Sequence, residues 1–201
     1  MFNQMIDWVS GSNWSYVAIL AVAILDAFFP VVPSESMVII AGTLAGAGDL
    51  NVFLVILSAW TGAVIGDNIS YGIGKFAGER TVKRLFRHQK ALKGFDWAEK
   101  QLETRGSYII LIARFIPFGR TAVTFTAGYT SGLPWHRFFR YDLLAGGLWA
   151  TYATMLGYIG GKQFEEQPWK GVVVGLAIAF SVAFLVEWLR HRREKRLEPE
   201  A

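Results

Sequence analysis

Five ionisable side chains lie in or beside strongly apolar stretches of the sequence: Asp26, Glu35, Asp67, Arg114 and Arg120. Charges at membrane depth are costly and usually have a function. A guanidinium stays charged, and its fork of N–H donors fits a phosphate or a carboxylate. Desolvation raises the pKa of a buried carboxyl group and a nearby arginine lowers it, so such a group can take up and release protons. Brought together, these residues would form a mixed-charge site inside a membrane.

A plainer interpretation of the same residues is a buried ion-pair network that only holds the fold together. Asp67 has a further alternative, because it follows Gly66 at the expected end of an apolar helix and could lie at the membrane interface. Both interpretations stay open on the residues alone.

The first apolar segment, 14–29, ends at two prolines that stand between Asp26 and Glu35. Pro30 and Pro33 each remove a backbone donor and restrict the preceding residue, so no regular helix continues through them. The helix-compatible stretch that follows, 36–47, has about 12 residues, too few to cross a bilayer. This pattern predicts a re-entrant arm.

A second break has the same form. Pro117 stands between Arg114 and Arg120, and the surrounding segment 107–128 is predicted to enter the membrane and return to the same side. Three further stretches are expected to span: 52–65, 138–158 and 169–189. The glycines Gly62 and Gly66 form a Gly-x-x-x-Gly pattern that predicts a helix-contact face.

An internal repeat relates the two halves. A shift of 87 residues superposes Pro30 on Pro117, and the same shift superposes Tyr71, Gly74 and Lys75 on Tyr158, Gly161 and Lys162. A shift of 86 superposes Ala41-Gly42 on Ala127-Gly128. The predicted organisation is a single membrane domain: repeat 1 (about 14–75), a cytoplasmic amphipathic linker (76–106), repeat 2 (about 107–165), a last transmembrane helix (169–189) and a basic tail (190–201).

The distribution of basic residues predicts the orientation. The chain carries 20 Lys and Arg against 16 Asp and Glu, and most of the basic residues fall in 75–105 and 190–196. The positive-inside rule places both clusters, and hence the C-terminus, in the cytoplasm. The two broken hairpins then approach from opposite faces, as in transporters built from inverted repeats. The fold class expected is an all-α membrane protein: an inverted repeat of two proline-broken re-entrant hairpins plus transmembrane helices.

Composition excludes several other classes of protein. Hydrophobic residues make up 53% of the 201, and charged residues only 18%, so a soluble domain and a disordered chain are both excluded. There is no cysteine, hence no disulfide or thiolate chemistry. The three histidines form no ligand cluster, and we expect neither a metal nor a cofactor nor a catalytic residue. The basic residues lie beside membrane segments without interleaved stacking aromatics, which does not favour nucleic acid.

The motifs resemble those of the DedA family of membrane proteins, also described as VTT-domain or SNARE-associated proteins. Residues 26–35, Asp-Ala-Phe-Phe-Pro-Val-Val-Pro-Ser-Glu, are similar to its acidic first motif, and residues 114–120, Arg-Phe-Ile-Pro-Phe-Gly-Arg, to its second. The element from Gly66-Asp67 through Gly72, Lys75 and Gly78 also matches, as does Trp149. The sequence departs from the family where Asp26-Ala27 replaces a common Glu-Asn pair.

The resemblance implies transport of lipid-linked phosphates in a bacterial inner membrane, with undecaprenyl phosphate as the expected lipid and protons as the coupling ion. It also implies that Asp26 and Glu35 act in proton coupling and that Arg114 and Arg120 are essential. We assign the two arginines to the lipid phosphate and add Asp67 to the proton-coupling residues. The expected partners are thus a membrane lipid and protons, while assembly into a homo-oligomer stays open. The alternatives are an uncoupled phospholipid flippase or scramblase, an intramembrane phosphatase or transferase, and a membrane assembly factor without a substrate.

Overall fold

The computed structural model describes residues 13–29, 34–85, 89–116, 118–130 and 133–163, and all regular structure in this part of the chain is helical. The predicted all-α class is therefore confirmed for it. The helices in chain order are α1 (Asn13–Phe28), α2 (Ser34–Ala47), α3 (Val52–Leu85), α4 (Gln89–Arg105), a 3-10 turn (Gly106–Tyr108), α5 (Ile109–Ala113), α6 (Gly119–Tyr129) and α7 (Trp135–Gln163).

Helix α3 has the length and the surface of a membrane-spanning helix. Its 30-residue portion Val52–Thr81 is the one described segment that is both long and apolar enough to cross a bilayer, and only 33% of its most apolar window is buried inside the structure. Large apolar side chains such as Phe53, Leu57 and Ile65 are exposed along it. An apolar surface of this extent is costly in water and is stable against lipid. Helix α7 is long enough to span, with 29 residues, but it does not reach the same mean hydropathy.

The prediction that the helix ends near Gly66-Asp67-Asn68 is wrong. Helix α3 continues through these residues, because its glycines bring neighbouring helices close instead of ending it. A Cβ on Gly66 would lie 2.8 Å from the carbonyl oxygen of Ile24 in α1, and one on Gly62 would lie 2.9 Å from the Cβ of Ala23. The predicted Gly-x-x-x-Gly contact face is thus confirmed, with α1 as its partner.

The predicted linker 76–106 is largely helical. Helix α3 runs on to Leu85 with a break at Gly78, whose φ of 72° is the left-handed conformation that glycine adopts at little cost. Helix α4 follows, and its apolar side chains Phe95, Ala98 and Leu102 are buried in a core shared with α5 and α6. The apolar face of α4 is therefore used for packing within the protein.

The two short arms, α2 and α6, each pack on a long helix of the other half. Helix α6 contacts α3, and α2 contacts α7. A Cβ on Gly128 of α6 would meet Tyr71, Gly74 and Lys75, whereas one on Gly46 of α2 would meet the residues 87 positions further on, Tyr158, Gly161 and Lys162. The contacts therefore pair Gly128 with Gly46, one helical turn beyond the Gly42 that the shift of 86 had indicated.

Each arm lies at the centre of its own hydrophobic core. Around α2 the core draws on α1, α3 and α7, with Ile39 and Val55 fully buried. Around α6 it draws on α3, α4, α5 and α7, with Phe125 and Phe138 almost fully buried. The prolines predicted to break the hairpins, Pro30, Pro33 and Pro117, and the predicted last span 169–189 lie outside the described residues.

Candidate functional site

Asp67 lies at the centre of a buried cluster of charges. Its carboxylate accepts a hydrogen bond of 2.7 Å from Arg114 Nη1 at Oδ2, and one of 2.8 Å from Arg120 Nε at Oδ1. The side chain of Asp67 is 0% exposed, that of Arg114 3% and that of Arg120 11%. Such short contacts between opposite charges are the strong class of protein hydrogen bond, and burial strengthens them further. Asp67 is therefore the residue that joins the two arginines.

Asp26 extends the cluster into α1. Arg120 Nη1 donates to Asp26 Oδ2 at 2.8 Å, so one guanidinium bridges the carboxylates of two helices. The hydroxyl of Ser34, the first residue of α2, donates to the same oxygen at 2.6 Å. The two ends of the first break are thereby tied together across eight residues.

The turn between α5 and α6 brings both arginines to the same carboxylate. The N–H of Ile116 donates to the carbonyl of Ala113 at 3.1 Å, and the N–H of Gly119 donates to the carbonyl of Ile116 at 2.9 Å. Between them Phe118 adopts φ 61°, a left-handed conformation that costs a residue with a side chain of the order of 1–3 kcal/mol. Arg114 before this turn and Arg120 in the first turn of α6 reach the same carboxylate.

A third acid, Asp142 of α7, completes the cluster, and the sequence analysis missed its role. It lies 3.5 Å from Arg114 Nη1, accepts a 3.1 Å hydrogen bond from the Asn68 amide, and is 0% exposed. The indole N–H of Trp135 donates to the other end of that amide at 2.9 Å, which fixes its orientation. The available signal was an acid within a predicted span; it was set aside because the span was taken to begin at Phe138, which placed Asp142 at an entrance.

Several guanidinium nitrogens of the cluster have no acceptor among the described residues: Arg114 Nε, Arg114 Nη2 and Arg120 Nη2. Arg114 is also held over the ring of Trp149, with its Cζ 5.2 Å from the ring centroid, a cation–π arrangement. A cavity of ≈ 10 Å³ adjoins both arginines, Asp67, Asp142 and Thr124. That volume accommodates about one water molecule and no larger ligand.

Glu35 stands apart from the cluster. It is exposed at the start of α2 and makes no ion pair with any described residue. Of the five predicted site residues, the structure therefore brings together Asp26, Asp67, Arg114 and Arg120, and leaves Glu35 on the surface beside them. The arrangement can hold an anion between two arginines only if that anion replaces a carboxylate.

Comparison with known proteins places this geometry in a family. The VTT domain family matches residues 32–159, which include all the charged residues of the cluster except Asp26. Protein DedA of Escherichia coli K12 is 29% identical over 171 residues, which cover 82% of this chain and 76% of that protein. A membrane protein of Mycobacterium leprae is 28% identical over 201 residues, covering 94% of this chain and 88% of the relative. The inner membrane protein YohD of E. coli K12 is 26% identical over 196 residues, covering 94% and 96%. No solved structure matches the chain.

Proposed function

This chain belongs to the DedA family of VTT-domain membrane proteins, and we propose that it carries an anionic lipid phosphate, undecaprenyl phosphate or a related lipid, across a bacterial inner membrane with proton coupling. The observation that carries the proposal is the position of Asp67, an anion held between two buried arginines. A phosphate headgroup presents the same kind of acceptor with more oxygens, and the remaining N–H donors of the arginines fit them.

The small cavity supports a mechanism in which the headgroup replaces the carboxylates on the arginines. With room for about one water, the site receives a headgroup only when Asp67 and Asp26 release the arginines. A released Asp67 would be a buried carboxylate without a cation, which is unfavourable unless it takes up a proton. Proton uptake by the acids and binding of the headgroup by Arg114 and Arg120 thus become parts of one step. Glu35, exposed next to Ser34, is suited to pass protons between the surface and Asp26.

The test is lipid transport in proteoliposomes of defined composition with an imposed pH gradient. We expect Arg120→Lys to slow transport at least tenfold, because a single ammonium cannot replace the contacts of Arg120 with both Asp26 and Asp67, and each charged hydrogen bond contributes about 1.5–3 kcal/mol. The matched control is Arg140→Lys, the same change at an exposed position. Full transport by Arg120→Ala or by Glu35→Gln would contradict the assignment.

The same ion pairs also favour a second candidate, a membrane assembly factor in which the cluster only stabilises the fold. If the protein is an assembly factor, Arg114→Lys preserves the charge and should still complement a deletion strain. The transport proposal predicts failure, since the fork geometry of Arg114 is lost. Transport at a rate that does not change with the pH gradient would instead favour an uncoupled flippase or scramblase.

A further inference from the structure

Among the residues that the structure describes, the buried cluster contains one more acid than it has arginines. Three carboxyls, Asp26, Asp67 and Asp142, meet two guanidiniums, which remain charged under all ordinary conditions. Two of the acids are 0% exposed. A buried carboxylate without its own cation is strongly disfavoured and becomes neutral by binding a proton.

The contacts differ enough to identify the acid that holds this proton. Asp26 and Asp67 receive guanidinium hydrogen bonds of 2.7–2.8 Å, as ionised carboxylates do. Asp142 has only a 3.5 Å approach to Arg114 Nη1, an atom already bonded to Asp67, and its Oδ2 accepts from a neutral amide. Its Oδ1 is buried and receives no hydrogen bond from any described residue.

The neighbour of Asp142 points to the same conclusion. The same guanidinium nitrogen, Arg114 Nη1, lies 2.7 Å from Asp67 Oδ2 and 3.5 Å from Asp142 Oδ1, so the two carboxyl groups are neighbours around one donor. Two neighbouring carboxyl groups can bond to each other only when one of them supplies the proton. The groups that face Asp142 are Asp67 and Asn68 from α3, Arg114 from the turn after α5, and Arg120 from α6. With one proton on Asp142, the cluster has no net charge.

We propose that Asp142 is the proton-binding residue of this site: it is protonated in the present conformation and donates its O–H to the carboxylate of Asp67. Transfer of that proton breaks the O–H bond on Asp142 and forms one on Asp67. Asp67 then loses its charge and releases the arginines, while the new negative charge lies 3.5 Å from Arg114. The coupling role of this proton rests on the proposed function; its presence on Asp142 does not.

Infrared spectroscopy of the whole protein in lipid nanodiscs at neutral pH tests the protonation directly. We expect the carbonyl stretch of a protonated carboxylic acid in the wild type, its loss in Asp142→Asn, and its retention in Asp49→Asn, the same change at an exposed turn. Asn68→Ala, which removes the amide donor to Oδ2, should shift the band without abolishing it, so a second variant reports on the same group if Asp142→Asn folds poorly. Absence of the band in the wild type, or its loss in Asp26→Asn but not in Asp142→Asn, would overturn the proposal.

Proteoliposomes test the coupling. If the proposal holds, Asp142→Asn removes the dependence of lipid transport on the pH gradient, and a variant that keeps the full dependence refutes the coupling role. A third outcome separates the two proposals. If the wild-type protein moves no lipid in proteoliposomes, but its infrared band is present and is absent from Asp142→Asn, the proposed function is refuted and the proton on Asp142 is established.

Discussion

Replacing Asp67 by asparagine tests both the stability and the binding chemistry of the site. The substitution keeps the size of the side chain and removes the charge that joins Arg114 to Arg120 at 2.7 and 2.8 Å. An asparagine can accept from one guanidinium through its oxygen, but its NH₂ group then faces the donors of the other. One charged hydrogen bond is lost, and of the two remaining acids Asp26 contacts only Arg120, while Asp142 lies 3.5 Å from Arg114. Breaking a buried pair in this way costs about 3–5 kcal/mol.

Thermal unfolding of purified Asp67→Asn in detergent measures this loss. For a chain of this size, 1 kcal/mol corresponds to roughly 2–4 °C, so the expected fall in Tm is about 6–20 °C at a fixed scan rate. The control Asp49→Asn removes an exposed acid and should change the free energy of unfolding by no more than about 0.5 kcal/mol.

The second measurement is the response to lipid. Because Asp67 competes with a headgroup for the arginines, its removal should strengthen phosphate binding, and undecaprenyl phosphate should raise the Tm of Asp67→Asn more than that of the wild type. A ligand at about 100 times its Kd contributes roughly 2.7 kcal/mol, enough to recover much of the loss. An unchanged Tm without lipid would refute the energetic reasoning about the ion pairs. A large fall that the lipid phosphate does not reverse would refute the competition between carboxylate and headgroup.

Three further predictions concern the scaffold. Gly128→Ala places a methyl group against backbone atoms of α3 and should lower Tm markedly, whereas Gly72→Ala, on α3 itself with open space around it, should leave Tm unchanged or raise it slightly. Since the chain has no cysteine, a single reporter cysteine at position 48 or 89 can be labelled selectively. We expect Gly48→Cys to react from outside the cell and Gln89→Cys only from inside. Labelling of both from one side would contradict the inverted arrangement. Trp149→Leu removes the ring under the buried guanidinium and should cost about 1–2 kcal/mol by thermal unfolding, with full stability counting against a cation–π contribution.

The helical segments could be predicted because their signals are local. Paired prolines mark the start of the first arm, which was predicted as 36–47 and is found as Ser34–Ala47. The second arm, Gly119–Tyr129, lies largely within the predicted segment 107–128, on the C-terminal side of its proline. The predicted span closed at residue 65, whereas α3 continues to Leu85. Gly66 and Gly74 let α1 and α6 approach the backbone of α3. The Gly-x-x-x-Gly pattern predicted the contact face at Gly66, but the identity of the partner helix depends on the tertiary fold and leaves no local signal.

The members of the site could be predicted from the energetic cost of a charge in an apolar segment. The ion pairs that they form could not be predicted, because they depend on the tertiary fold. Charged residues flanking the breaks were identified by the expense of placing them in an apolar segment, and four of the five meet. Which acid pairs with which arginine depends on the packing of α1, α3 and α6, so the central position of Asp67 and the exposure of Glu35 could not be derived from spacing. Asp142 was missed because the last described helix was predicted to begin at residue 138, whereas α7 begins at Trp135. This error of three residues placed a buried acid near the predicted entrance of the span.

The charges of the cluster do not follow the repeat, although the scaffold does. The residues 87 positions from Asp67 and from Arg114 are Thr154 and Ala27, both uncharged. Negative charge from the first half therefore meets positive charge from the second, and any movement of one half against the other must separate the pairs that Asp67 makes. A proton on the carboxylate and an anion on the arginines replace those pairs at the least cost, because each neutralises the charge that separation exposes. In the proposed function, the lipid phosphate is the anion and the transported proton neutralises the carboxylate.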